Sequence, residues 1–530
     1  MSGRSWPSRD RPFDALAGLD RTELLAWGMA TFALFWAALT YHSAYHEHFA
    51  VRYDPDFPQW WQWSDQGRYY QAAKAWANLS LDPSQHWYFA GYPLLGAALF
   101  RLAPGHPFYL VDLACLLLTG LLLVLLASRL AASPAAGMLI GAATFILTVV
   151  LPPYAMKSFV EPWTTTPTAP LTLASLLLAF RFWDRPTAQT AFGLGLATAS
   201  VLLFRPIDAV PLGLTVAGAA GSKLRSPRIA AAGLAGSAIP VVLAAATYVA
   251  IFGLQQSPYL RQSSQTGFEW WLVPLRWVTI FVSPQPEFRD EFSLAQTFPW
   301  IIPGVAGMAA SLIGSRGAAL VRHALVISAV VLHCLFYLAY RDLHPQGLFR
   351  FGNYHYFKWC LPVFGLYAAF LITEILFRRR LFAFVAGLVV ATVLFSWRMT
   401  WQDVPAPWLA DAKLVDAHTL LLPQPPRSVY DGLFVPAEGG PAQIYLSSYE
   451  MRVGDRVFVA NADFKAFPTD GGLIFTVLRP MPAAPASIAF SDQVRLLPGP
   501  LQMKRAHLFW RWPQVVEVVT FYYRRWLHAE

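Results

Sequence analysis

The sequence predicts a mainly α-helical, polytopic membrane protein with a β-rich soluble domain at its C-terminal end. Three observations predict it. Of 530 residues, 56% are hydrophobic and 13% charged, with a mean hydropathy of +0.40, too apolar for a soluble chain of this length. Long apolar runs alternate with short loops, and each inward loop carries Arg or Lys close to a run end, the pattern that orients membrane spans. Beyond Trp401 the runs become short and alternating, as in Gln443-Ile-Tyr-Leu446, Arg456-Val-Phe-Val459 and Leu473-Ile-Phe-Thr-Val-Leu478, with Pro and Gly between them.

Arg4, Arg9, Arg11 and Arg21 precede the first apolar run, about residues 24–41, so the N-terminus is expected in the cytoplasm. No small-residue cleavage site follows, and the run reads as a retained anchor. The stretch 91–102 is short for a crossing helix, which needs about 20 residues, and reads as an outer-surface or partly inserted helix. Crossing runs are expected near 108–126, 136–151, 171–180, 229–252, 298–313, 324–340, 360–377 and 381–395. Residues 191–204 and 210–220 read as a helical hairpin whose tip carries Arg205 and Asp208. This gives about eleven spans. The expected protein sits in an inner (cytoplasmic) membrane with an extracytoplasmic C-terminus. Residues 1–400 form the membrane domain, with outer loops at 45–95, 152–168, 255–297 and 341–358. Residues 401–530 form the outer β-rich domain, closed by an interfacial helix at 513–527.

The net charge of +9 does not imply nucleic acid, because the basic residues lie mostly in short loops between apolar runs. Cys115, Cys334 and Cys360 are scattered through or beside apolar stretches and give neither a disulfide framework nor a metal spacing. His42, His46, Glu47 and His48 follow a span and read as its polar flank, so no metal site is assigned.

The chain is organised around its first outer loop. Ser64 or Asp65 can cap a short helix there, and Tyr69, Ala72, Ala73 and Trp76 make an apolar stripe at helical spacing. Asp65 and Arg68 project from the same turn. The plain reading is an aromatic belt at the lipid–water boundary with solvated charges. The distribution of charge argues for more. Polar groups concentrate on the outer loops and at Arg205 rather than at span midpoints, where a transporter needs them. That asymmetry suits an enzyme acting at the surface on a lipid, and a basic cluster there suits phosphate. Arg205 has the alternative of simply pairing with Asp208.

Asp65-Gln-Gly-Arg-Tyr69 followed by Gly91-Tyr-Pro-Leu-Leu95 resembles the first outer loop of the GT-C superfamily of membrane glycosyltransferases, notably the aminoarabinose transferases of lipid A and the protein O-mannosyltransferases. The likeness in topology spans about residues 20–400. The resemblance implies transfer of a sugar from a polyprenyl-phosphate donor to a glycan or lipid acceptor, with inversion at the anomeric carbon. It implies Asp65 as the catalytic carboxylate and Glu161 as a supporting acid. Arg68, Tyr69, Tyr92, Arg205, Arg350 and Lys358 are the residues expected around the donor and its phosphate, and His344, His355 and Lys358 have the alternative reading of interfacial residues. Two positions depart from the pattern: Tyr92-Pro93 stands where the aminoarabinose transferases carry Lys-Pro, and Gln66 stands where a second acid would follow Asp65. No cofactor is assigned, and a divalent cation is left open. The expected partners are the lipid-linked sugar, the acceptor and membrane lipids. Two alternatives stand beside this reading: a glycan ligase or polymerase using a lipid-diphosphate donor, and a lipid-linked sugar transporter.

Overall fold

The computed structural model describes residues 20–221, 223, 226–285, 291–349, 352–438, 449–460, 462–469, 471–490 and 494–511, apart from 51–63. Arg350, the run at 443–446 and the expected helix at 513–527 lie outside the described residues. The chain forms two compact units. The first comprises residues 1–255, 303–330 and 357–388, and the second comprises 256–302, 331–356 and 389–530. Residues 256–302 and 331–356 thus belong to the same unit as the C-terminal sheets.

The helices of the chain, in order, are α1 (Arg21–Ala50), α2 (Ser64–Ala77), α3 (Gly91–Phe100), α4 (Tyr109–Leu130), α5 (Pro134–Phe145), α6 (Pro153–Val160), α7 (Thr165–Asp184), α8 (Ala188–Ser200), α9 (Pro206–Gly221), α10 (Pro227–Phe252), α11 (Ile301–Gly314), α12 (Gly317–Ala339), α13 (Cys360–Phe370) and α14 (Leu381–Phe395). The helix Pro258–Thr266 and several shorter helical pieces are left without labels. Among the described residues, four helices are long and apolar enough to cross a membrane: Arg21–Glu47, Tyr109–Leu130, Pro227–Phe252 and Gly317–Ala339. A fifth is added if Pro134–Val150 and Pro153–Val160 count as one span bent by 81°. The expected eleven full spans are therefore not shown. The apolar runs are real, but prolines and polar turns cut them short. The run after Pro134 loosens into a π turn at Ile146–Val150 and then bends at Pro152-Pro153. The hairpin at Arg205 consists of two short helices, α8 and α9, on either side of that residue.

Within the first unit the helices approach closely where small residues meet. A Cβ on Gly195 of α8 would lie 2.2 Å from the Gly233 carbonyl of α10, and one on Gly236 would lie 2.1 Å from the Phe192 carbonyl. Without a hydrophobic gain between helices in lipid, such backbone contact is what packs membrane helices together. On α2, Tyr69, Ala72 and Ala73 are buried as their spacing predicts, and Trp76 is half-buried.

Among the described residues of the second unit, β1 (Trp397–Asp403), β2 (Lys413–Leu414), β3 (Thr419–Leu422), β4 (Asp431–Glu438), β5 (Tyr449–Val453), β6 (Arg456–Val459), β7 (Phe464–Thr469), β8 (Gly472–Val477), β9 (Ala486–Phe490), β10 (Arg495–Leu496) and β11 (Gln502–Trp510) form two antiparallel sheets. Their orders are β1-β11-β4-β8-β7, with β10 also on β4, and β2-β3-β9-β5-β6. Leu433, Leu473, Phe475 and Val477 from one sheet and Leu420, Met451 and Ile488 from the other share one apolar core. Every residue of β8 is buried, because the segment around Trp277 and Val278 covers the other side of its sheet against Met399 and Phe467. Arg341 fastens this arrangement: its guanidinium donates to the carbonyls of Ala462 and Gln265, each at 2.8 Å, and meets Asp463 at 3.2 Å.

Gly307 of α11 tests the close-packing argument, since a Cβ there would lie 1.9 Å from the Tyr367 carbonyl. Gly307→Ala is expected to cost roughly 1–3 kcal/mol through overpacking and to lower the Tm in detergent. Gly213→Ala, where nothing lies within 4 Å of the added carbon, should leave the Tm unchanged or raise it. Equal Tm changes for the two variants would contradict the account.

Candidate active site

The site is built within the helical unit, from the first turns of α2, α3, α4, α7 and α9 and the residues just before α9 and α13. Asp65 lies in the first turn of α2, where an acid complements the helix dipole. Its Oδ1 accepts a 2.5 Å hydrogen bond from the Tyr88 hydroxyl. Gln66, the next residue, is buried and donates its side-chain amide to the Pro162 carbonyl at 3.1 Å. An ionised acid at this position could not donate to that carbonyl. The Gln66 bond also holds the start of α2 against Glu161-Pro162-Trp163, the turn that leads into α7. Arg68 stacks over the Trp87 ring at 3.6 Å.

An aromatic file runs inward from Asp65. Tyr69 packs against Tyr88 at 4.7 Å and against Tyr92 at 5.4 Å between ring centroids, and Tyr92 stacks on Phe108 at 4.4 Å. The Tyr92 hydroxyl then lies 2.9 Å from both carboxylate oxygens of Asp112, a buried acid in the first turn of α4. Tyr92, expected beside the donor phosphate, is thus the residue that orients Asp112.

The second half of the site is a buried hydroxyl run, Thr164-Thr-Thr-Pro-Thr168, at the N-terminus of α7. Two cations meet it. The Lys358 Nζ donates to Thr166 Oγ1 at 2.6 Å, and Arg205 Nη1 donates to Thr164 Oγ1 at 3.1 Å. Asp208 ties the hairpin to the same run: it accepts from Thr168 Oγ1 at 3.0 Å and lies 3.5 Å from Arg205 Nε. The Arg205–Asp208 pair anticipated as an alternative is present together with the threonine contact. Gly91 joins the two halves, because a Cβ there would lie 2.5 Å from the Leu203 carbonyl, next to the Arg205 tip. Only the absence of a side chain lets the start of α3 approach so closely.

Burial pushes the Lys358 amine down to about 7; Asp112, Cys115 and Glu161 pull it back up, and Arg205 pushes it down further. Glu161 lies 3.5 Å from Lys157 one turn back on α6. The structure thus brings Asp65, Tyr69, Tyr92, Glu161, Arg205 and Lys358 into one neighbourhood and sets Arg68 on Trp87 at its edge. Sequence reasoning missed Tyr88, Asp112 and the threonine run. Two signals marked the last two: a lone acid inside an otherwise apolar span, and four hydroxyls in five residues opening a helix. Among the described residues, no group of three His, Cys, Asp or Glu side chains is arranged to hold a metal ion.

Two cations thus meet a hydroxyl run at a helix N-terminus, and the half-buried Asp65 carboxylate stands at the other end of the aromatic file. No protein-family model matches the chain, and no curated protein matches it significantly.

The Tyr92–Asp112 contact gives a direct test. Among the described residues the Tyr92 hydroxyl is the hydrogen-bond donor to that carboxylate. Tyr92→Phe leaves a buried acceptor without it and should cost about 1–3 kcal/mol, read as a lower Tm in detergent. An unchanged Tm would show that Asp112 does not depend on Tyr92.

Proposed function

We propose that the chain is a GT-C-like membrane glycosyltransferase with many spans, working at the outer face of the membrane. It transfers a sugar from a polyprenyl-phosphate donor to a hydroxyl of a glycan or lipid acceptor, with inversion. The observation that carries this reading is the pair of buried cations, Lys358 and Arg205, on the hydroxyls of Thr166 and Thr164. The resemblance in the first outer loop, which places Asp65 on the acceptor side, adds to it.

In this reading the donor phosphate binds the threonine run at the N-terminus of α7, between the guanidinium and the amine. The acceptor hydroxyl attacks the anomeric carbon on the face opposite the phosphate. The new carbon–oxygen bond forms as the bond to the phosphate oxygen breaks. The electron pair stays on the phosphate, where Arg205 and Lys358 stabilise the growing charge more in the transition state than in the ground state. The hydroxyl proton passes to Asp65, the general base. Tyr88 holds one oxygen of Asp65 and leaves the carboxylate aimed by a fixed contact. Glu161 supports the polarity of the site, and Arg68 on Trp87 guards the donor's approach. A divalent cation is no part of the proposed steps.

The test is sugar transfer from a polyprenyl-phosphate donor by purified wild type and Asp65→Asn, with thermal unfolding of both. Asparagine keeps the size of the side chain and can still accept from Tyr88. Transfer is expected to fall by roughly 10²–10⁴-fold, the usual contribution of a general base, with little change in Tm. Equal transfer by the two proteins would remove Asp65 from the chemistry. Transfer by wild type from a lipid-diphosphate donor alone, unaffected by Asp65→Asn, would favour a ligase instead.

A further inference from the structure

The opposite end of the same helical bundle carries a second polar feature that the proposed reaction does not use. α4 and α7 run side by side, and both end where Arg129, Arg181 and Arg185 gather. Between them lies a groove of about 640 Å³, within the range of roughly 300–1,000 Å³ of small-molecule sites. Its walls are Leu122 and Leu125 of α4 and Leu177 and Leu178 of α7, and its rim is Arg129, Arg181 and Arg185. The spacing explains the geometry. Residues 122, 125 and 129 share one face of α4, and 177, 178, 181 and 185 share one face of α7. The apolar wall therefore extends back from the arginines by about 10 Å along each helix.

The charge in the groove is one-sided. Its acid, Asp184, is already held by Arg322 at 2.8 Å, and the same guanidinium donates to the Arg129 carbonyl at 3.3 Å. Arg322 so offsets the carboxylate from outside the groove and leaves three arginines on its rim. Arginines at helix C-termini complement the helix dipole, but that interaction needs neither an open groove nor leucine walls. A phosphate at the headgroup level, continued by an acyl chain, matches both parts at once: guanidinium for phosphate, leucine for hydrocarbon.

We propose that this groove binds an anionic phospholipid, with its phosphate on Arg129, Arg181 and Arg185 and one acyl chain along Leu122, Leu125, Leu177 and Leu178. The occupant is a lipid of the leaflet at that end of α4 and is distinct from the sugar donor. The full chain in non-ionic detergent is titrated with phosphatidylglycerol and with phosphatidylcholine of matched chains, and bound lipid is read by native mass spectrometry. Wild type is expected to retain phosphatidylglycerol in preference by on the order of tenfold to a hundredfold, from three arginines at the headgroup level. The combined variant R129Q/R181Q/R185Q should lose that preference. Leu177→Trp, which fills the groove and leaves every arginine in place, should lower retention of phosphatidylglycerol as well. If the combined variant does not fold, Arg181→Gln beside Leu177→Trp serves the same comparison. Inorganic phosphate should displace the lipid poorly. Equal retention of the two lipids by wild type would overturn the proposal, as would a preference that survives loss of the arginines. Displacement by inorganic phosphate at concentrations matched to the lipid would mean that the groove reads phosphate alone, and unchanged retention by Leu177→Trp would exclude the acyl wall. Either result would also overturn it.

Discussion

Two buried cations resting on one run of threonines set the terms for the rest of the helical unit. Removing an ammonium and a guanidinium from water is costly unless each finds hydrogen bonds and compensating charge. Here Thr164 and Thr166 supply the first, and Asp208 and Asp112 the second. The compensation is incomplete for Lys358, as its depressed pKa shows. A nearby anion stabilises the charged form of an amine whose pKa burial has lowered. This is the physical core of the proposed donor site.

The other contacts of the unit place a carboxylate near that site. Gln66 and Pro162 fasten α2 to the turn before α7, and Gly91 lets α3 touch the Arg205 tip. Tyr88, Tyr69 and Tyr92 fill the space between Asp65 and Asp112 with rings that have few rotamers to choose among. The consequence is a site whose polar ends are fixed by packing at a distance from each other. In the proposed reaction those ends serve the acceptor hydroxyl and the departing phosphate.

Much of the local structure was legible in the sequence. The stripe Tyr69, Ala72 and Ala73 gave the buried face of α2, and the broken apolar runs around Arg205 gave two short helices meeting there. Alternation beyond Trp401 gave strands such as β6 and β8, although the first sheet already begins at Trp397. The number of spans was not legible, because a hydropathy run does not register the bend at Pro152-Pro153 or the polar start of α7. Nor was the fate of the loop near Arg341, whose guanidinium reaches Asp463 from 122 residues away in sequence. Lys358 and Thr166 are 192 residues apart, and no local pattern pairs them. The identity of Asp112 as Tyr92's partner depends in the same way on how α3 folds back on α4.

The affinity of a polyprenyl-phosphate sugar as a function of pH tests the central claim most directly. Such a diester keeps one negative charge through the neutral range, so any dependence belongs to the protein. Burial places the Lys358 amine at about 7 in the free site, and a bound phosphate raises it. The charged, binding form is therefore lost as pH rises through about 7. Measured from about pH 6 to about pH 9, the Kd of wild type should rise by up to about tenfold per pH unit above neutrality, one proton being taken up on binding. Lys358→Met should bind more weakly at the acid end and show a flat profile. A flat profile for wild type, or the same slope in both proteins, would contradict the assignment of Lys358 to the donor phosphate.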